Sequence, residues 1–342
     1  MKEKIWAILI HLSHNMWGHD EWGEKKYKDT YQLFDEAIWE KIVRDAPKAG
    51  FNTIVLDVGD GIRFASHPEI SAKNAWSHDR VRREVVRCRE AGLTLIPKLN
   101  FSATHDSWLG EYEKMISSKI YYRVCRDLIE EVYELFDHPA YIHLGMDEED
   151  ESFGAADNAL NTLRTGDFYY RDLRYLMDCV IDCGARPWIW SCPLFYHPDL
   201  YKKYIRPDEA IISPFYYNAF RPEHWTPVSS RQEYIDHYKL PKYDGMNIEY
   251  VEQDPILVRF RDNALPLMQE GFEYVPCAST YNRCDWNHQD LMEYFRDNAP
   301  DDQVLGFMTA PWFMREMGSE EGYDETFRLF HDAKEAIYGK DC

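Results

Sequence analysis

The feature that most restricts the fold is an alternation running the length of the chain. Eight short β-rich runs, Ile5–Leu12, Thr53–Val58, Thr94–Asn100, Tyr141–Met146, Pro187–Ser191, Ala210–Phe215, Tyr274–Ser279 and Val304–Thr309, are separated by amphipathic stretches. Helical spacing marks Tyr31–Ala49, Asp79–Ala91, Ser118–Phe136, Phe168–Cys183, Pro255–Glu270, Gln289–Asn298 and Asp324–Tyr338, with none read between the fifth and sixth runs. The runs are apolar on most residues, as parallel strands buried on both faces must be. Four helical stretches end in glycine, at Gly50, Gly92, Gly184 and Gly271, and a strand run follows each one closely. Glycine takes the left-handed conformation that stops a helix, and short returns to the next strand are what α/β units use. Eight such units predict an α/β chain folded as a (β/α)8 TIM barrel, a single domain over residues 1–342. The longest connection, residues 216–254, is expected to cover the active face. A doubly wound sheet competes, but it has fewer strands and a Gly-rich phosphate turn that this sequence lacks.

Charge and composition then remove whole classes of partner. Lys and Arg number 39 against 60 Asp and Glu, a net charge of −21, which disfavours nucleic acid and anionic membrane surfaces. No apolar run approaches the ~20 residues that span a bilayer, and the apolar N-terminal stretch reads as a first strand rather than a leader. The eight cysteines form no CxxC pair and no zinc spacing, so buried free thiols and a cytoplasmic setting are expected. Neither a cofactor nor a metal is expected. Barrels of this kind often dimerise, but no contact face for a homodimer is legible. Aromatic residues make up 15% of the chain, with 11 Trp and 24 Tyr. Such flat apolar faces suit the faces of sugar rings, and a carbohydrate is the expected substrate.

In a barrel the chemistry sits where the strands end. Those ends carry His11, His14, Asp57, Asp60, Lys98, Asn100, His105, Asp106, Trp108, His143, Asp147, Glu148, Trp188, Trp190, Tyr216, Tyr217, Tyr281, Asn282, Asp285, Trp286 and Trp312. Hydrogen-bonding groups alternate with broad rings, as the edges and faces of a sugar require. Trp6 and Trp39 read as core. Of Trp188 and Trp190, one is expected to point outward if the other points in. The strongest local signal is Tyr141-Ile-His-Leu-Gly-Met-Asp-Glu-Glu-Asp150. Residues 147–151 are five acids in a row, and such a run is often only a solvated loop. At the end of the fourth strand, behind Gly145, adjacent carboxylates instead tend to raise the pKa of one member, which then serves as a proton donor. Strict strand neighbours face opposite sides, so both acids reach one pocket only if the chain turns there.

His143-Leu-Gly-Met-Asp-Glu148 resembles the His-x-Gly-Gly-Asp-Glu signature that ends strand four in glycoside hydrolase family 20, the β-N-acetylhexosaminidases. Met146 stands where the signature has its second Gly, and no sugar-clamping Arg ends the first run. The resemblance implies substrate-assisted retaining hydrolysis, with Glu148 as general acid/base and Asp147 orienting the 2-acetamido group. It also implies a Tyr on the acetamido oxygen (Tyr216 or Tyr217, or Tyr281) and aromatic walls at Trp190, Trp286 and Trp312. His14, Asp57, Asn100, His105, Asp106, His143 and Asn282 are the remaining candidate substrate contacts.

Three other readings stay open. An inverting glycosidase for a non-acetylated sugar needs a second carboxylate ~6.5–9.5 Å from the first, from Asp57, Asp60, Asp106 or Asp285. The seventh run ends in hydroxyls rather than a Glu, which disfavours a two-carboxylate retaining site. A non-catalytic carbohydrate-binding barrel keeps the aromatics without the chemistry. A metal-dependent sugar isomerase gathers His11, His14, His105, His143 and Asp147, but such sites draw ligands from later strands, where Trp, Tyr, Ser and Asn stand.

Overall fold

Every apolar run becomes a strand, and every strand pairing is parallel. The computed structural model describes residues 3–16, 31, 33–149, 164–191, 197–221, 224, 258, 260–281, 284–313 and 318–339. Its strands are β1 (Ile5–His11), β2 (Thr53–Asp57), β3 (Thr94–Lys98), β4 (Tyr141–His143), β5 (Arg186–Trp190), β6 (Ile211–Ser213), β7 (Glu273–Tyr274), β8 (Cys277–Ala278) and β9 (Gly306–Thr309). Its helices are α1 (Glu36–Asp45), α2 (His78–Glu90), α3 (Lys119–Leu135), α4 (Asp167–Cys183), α5 (Pro198–Tyr204), α6 (Leu265–Gln269), α7 (Asn287–Asn298) and α8 (Glu320–Tyr338).

The sheet order is β7-β6-β5-β4-β3-β2-β1-β9-β8. β7 and β8 are two halves of the seventh run, parted at Pro276, which has no N–H to give a ladder. Val275 N donates to Ile212 O at 2.9 Å and Cys277 N to Pro214 O at 2.8 Å, reaching β6 and the residue beyond it. From the other side Leu305 N donates to Tyr274 O at 2.9 Å and Met308 N to Pro276 O at 2.8 Å. One run therefore bonds to both ends of the sheet and closes it, completing the expected (β/α)8 barrel.

Strand alternation sorts the core into two shells. Ala7, Leu9, Val55, Ile96, Trp188, Trp190, Ile211, Val275, Cys277, Met308 and Ala310 fill the barrel interior. Ile8, Ile10, Ile54, Leu56, Leu95, Ile142, Ile189 and Ile212 face outward and pack in the core cluster that includes the helices. Trp188 and Trp190 share the inner side, contrary to the expectation that they would split. Residues two apart in a strand lie on one face, and only immediate neighbours alternate. Trp6 and Trp39 are buried, as expected.

The helices bury one stripe each. In α3, Tyr121, Val124, Cys125, Leu128, Ile129, Val132 and Leu135 recur at three- and four-residue spacing. Ser118 caps its start by accepting from Tyr121 N at 3.1 Å, a contact of about 1 kcal/mol. Gly50, Gly92, Gly184 and Gly271 all take positive φ at helix ends, as the sequence implied. Two helix expectations change. α1 begins at Glu36 rather than Tyr31 because Asp35 caps it, accepting from Ala37 N and Ile38 N. A seven-residue helix, α5, fills the connection between β5 and β6 where none was read. Among the described cysteines, Cys88, Cys125, Cys179, Cys277 and Cys284 are buried free thiols. No described helix is long and apolar enough to cross a membrane.

Candidate active site

Register builds the floor of the barrel mouth. His11 pairs opposite Asp57, Asp57 opposite Lys98, Lys98 opposite His143, and His143 opposite Trp188. His11, Asp57 and Lys98 each follow an inner residue by two, so this row points into the barrel. Asp57 and Lys98 form an ion pair with both side chains at 1% exposure, and His11 Nδ1 stands 3.5 Å from Asp57. Burial opposes the Asp57 anion, but Lys98 and then His11 outweigh it and hold its pKa below the usual value. Asp57, a candidate sugar contact, is thus committed to Lys98. His143 Nδ1 accepts from Gly145 N at 3.0 Å, which fixes it as the neutral Nε2–H tautomer. Burial, reinforced by Lys98, keeps its pKa well below the usual histidine value.

Above this floor the chain turns. Gly145, Met146 and Glu148 take φ of 69°, 63° and 57°. Gly145 is required: a Cβ there would lie 2.0 Å from Asn100 Oδ1 and 2.9 Å from Asn100 Cα. Met146, at the signature's second Gly, sits in the left-handed region at a cost of about 1–2 kcal/mol for a residue with a side chain. Tyr169 restrains it by donating to Met146 O at 2.7 Å.

The turn delivers both acids to one imidazole. His105 Nε2 lies 3.3 Å from Asp147 Oδ2 and 3.0 Å from Glu148 Oε2. Its Nδ1 faces the Thr104 carbonyl at 2.8 Å and must be the donor there. Burial works against a charged His105, yet Asp147 and then Glu148 override it and raise its pKa well above 6.5. Burial likewise opposes the Asp147 anion, but His105, with help from Lys98 and Asn100, pulls its pKa far below 3.8. Asn100 Nδ2 donates to Asp147 Oδ1 at 3.0 Å, while its Oδ1 accepts from Ser102 N and Met146 N. Asp147 is therefore held as an anion, and the repulsion expected between adjacent carboxylates is relieved by a cation set between them. The acid run is not a solvated loop in its first three residues: Glu149 is buried against Arg164 and accepts from Ala103 N at 2.8 Å.

The signs of these shifts set a pH window. The stability that His105 contributes is complete below 6.5 and is lost as pH rises through its raised value. That of Asp147 is complete above 3.8 and is lost as pH falls through its lowered value. In urea unfolding, His105→Asn is expected to be more destabilising at pH 5 than at pH 9. Equal losses at both would mean that His105 carries no charge in the folded protein.

The other candidates divide. Trp190 is buried, with its ring 5.0 Å from His143, 5.5 Å from Phe215 and 5.8 Å from Trp312. Tyr217 stacks on Phe215 at 5.4 Å and faces Trp312 at 6.2 Å. Burial raises its hydroxyl pKa, and Cys277 and Glu148 add to the effect. These four rings form one wall beside the acid pair. Tyr216 faces the other way, into the outer core. His14 is buried with its ring 5.6 Å from His11. Asp106 is buried, and burial raises its pKa well above the usual value, with Arg164 opposing. Trp286, expected as a wall, is 44% exposed and stacks on His224 at 4.0 Å. Tyr281 follows β8 and donates its N–H to Ser279 Oγ at 2.9 Å. Asn282, and residues 225–254 of the long connection, lie outside the described residues.

No protein-family model and no curated protein matches the sequence. Solved structures do. The chain is similar to the β-N-acetylhexosaminidase from Bacteroides fragilis NCTC 9343, with TM-score 0.60 at 13% identity, over 96% of this chain and 65% of that one. It is similar to the GH20 exo β-N-acetylglucosaminidase from Vibrio harveyi, with TM-score 0.59 at 12% identity, over 98% of this chain and 54% of that one. It is also similar to dispersin B, with TM-score 0.59 at 13% identity, over 99% of this chain and 100% of that one. The fold is shared. The chain spans about two-thirds and about half the length of the first two.

Sequence reasoning missed two residues at this site. Lys98 was named only as a strand end, although a charge two residues past an inner position needs a buried partner. Arg164 carries no spacing signal toward the turn it contacts. His105, Asp147 and Glu148 are also the one group of possible metal-ligand side chains among the described residues, with ligand atoms within 4.8 Å of one another. A proton on His105 Nε2 already serves both carboxylates at these distances, and the ends of β5, β6 and β9 add Trp190, Phe215 and Trp312 rather than ligands.

Proposed function

We propose that the chain is a glycoside hydrolase that removes a terminal β-linked N-acetylhexosamine with net retention, the substrate's own acetamido oxygen acting as nucleophile. One observation carries the reading: Asp147 and Glu148, adjacent in sequence, meet the same His105 nitrogen beside an aromatic wall. Glu148 donates a proton to the glycosidic oxygen as the bond from that oxygen to the anomeric carbon breaks. The acetamido oxygen bonds to the anomeric carbon from the opposite face, and positive charge spreads over the resulting ring. Asp147, an anion held by Asn100 and His105, accepts the amide N–H and stabilises that charge. Glu148, now a carboxylate, takes a proton from the water that reopens the ring. Tyr217 suits the acetamido oxygen and Trp190 and Trp312 the acetamido methyl, while Asn100 orients Asp147.

The inverting alternative has no ready base among the described candidates. Asp57 is paired with Lys98, and Asp60 is held by Ser13 and Asn15. Burial disfavours the Asp106 anion, the form that a base requires, and Asp285 is exposed. This supports an internal nucleophile.

A panel of aryl β-glycosides with and without the 2-acetamido group tests the reading. Cleavage confined to acetamido sugars and blocked by a thiazoline inhibitor is the expected result. Asp147→Asn should cost about 10²–10³-fold in kcat on acetamido substrates, the usual loss when one charge-stabilising contact is removed. Activity on plain glycosides only, or an equal loss on both classes, would overturn substrate assistance.

A further inference from the structure

Three consecutive acids follow Gly145 and Met146, and each meets a different fate. Asp147 is tied to the loop after β3: Asn100 donates to its carboxylate and Ser102 to its backbone oxygen. Glu149 accepts from Ala103 N of the same loop at 2.8 Å and is also held from outside it. Arg164 Nε donates to Glu149 Oε2 at 2.9 Å, and Nη2 donates to Oε1, a two-pronged pair with both side chains at 1% exposure or less. Glu148 stands between them at positive φ, touching His105.

The same guanidinium reaches two further segments. Nη2 donates to Phe101 O at 2.8 Å, and Nη1 donates to Asp172 Oδ2 in α4 at 3.2 Å. Asp172 in turn accepts from Ser117 Oγ at 2.5 Å and from the Tyr122 hydroxyl. One buried planar cation thus joins the residues after β4, the residues after β3 and a helix, a task that its fixed fork of donors suits and a lysine's point charge does not. Non-glycine residues stay in the left-handed region only where their surroundings over-determine them.

We infer that Arg164 is a positioning residue: acting through Glu149, it holds the left-handed turn that keeps Glu148 against His105. This rests on the reading of Glu148 as the acid, but its first test needs no substrate. His105 reports the place of Glu148, because Glu148 meets its Nε2 directly; among the described residues Asp147 and the Thr104 carbonyl also face its ring, with His11 farther off.

Two variants are compared with the parent protein. Arg164→Lys keeps a charge but not the fork. Arg164→Met/Glu149→Leu removes both members of that pair, so neither is left buried alone, while Asp172 keeps Ser117 and Tyr122 as donors. In both, the imidazole titration of His105 followed by NMR should move down toward the ordinary histidine range as Glu148 leaves. On any substrate that the parent cleaves, kcat should fall roughly 100-fold, the cost of about 1 Å of misplacement, with KM within about twofold. If Arg164→Lys does not fold, the double variant carries the test alone. A folded double variant with the parent's His105 titration and kcat would overturn the inference. A parent inactive on acetamido sugars, with the His105 shift still seen, would overturn the functional reading and leave the positioning role standing.

Discussion

Glu148→Gln is expected to lower kcat by about 10²–10⁴-fold on N-acetylhexosaminides with poor leaving groups, the range that a positioned proton donor contributes. The substitution keeps the side chain's size and its place on the turn. A glutamine oxygen still accepts from His105 Nε2, so the thermal midpoint should stay within a few degrees of the parent. What it removes is the proton that the departing oxygen needs. Aryl leaving groups of low pKa depart without one, so the loss on dinitrophenyl glycosides should be much smaller in the bond-breaking step. That gradient across leaving groups is the measurement that matters. A uniform loss would point to disrupted binding, and an unchanged rate in a folded variant would remove Glu148 from the chemistry.

Gly145→Ala is expected to destabilise the protein by roughly 2–5 kcal/mol, combining about 1–2 kcal/mol for a left-handed alanine with about 1–3 kcal/mol for overpacking. The new methyl would stand 2.0 Å from Asn100 Oδ1 and 2.3 Å from Asn100 Cγ, which a rotated side chain relieves. It would also stand 2.9 Å from Asn100 Cα, which only backbone movement relieves. Moving Asn100 removes the donor that holds Asp147 and the acceptor for Met146 N. Stability and activity should therefore fall together, read by urea unfolding and by kcat on the same preparation. A variant that loses stability but keeps kcat would show that Asn100 does not govern the reactive position of Asp147.

The barrel was legible because parallel strands inside a helical shell are apolar on both faces, and glycines mark where helices stop. The acid pair was legible because an apolar strand ran straight into Gly145, Asp147 and Glu148. What escaped depends on register and exposure. Asp57 and Lys98 were both read as strand ends, but only the alignment of β2 with β3 sets them side by side. α5 is too short for its periodicity to stand out, and Pro198 is its one signal. Trp286 lies on the exposed start of α7, where its ring meets His224 from a distant connection. Arg164 is 15 residues from Glu149, a distance at which neither strand nor helix spacing links two side chains.

The way the barrel closes has a kinetic consequence. β1 meets β9 across the chain, with Lys4 and Val304 in contact although 300 residues apart. During synthesis, β1 can pair with β2 as soon as both emerge, but its other edge stays open until β9 is made. Strand edges left open in this way invite pairing with other chains, and long-range pairing is the slow part of folding. The two-sided run at Pro276 also needs β6 and β9 present before it can settle. The arrival of β9 therefore decides when the edges of β1 and β8 are covered, and a ribosome that pauses before β9 would leave both open.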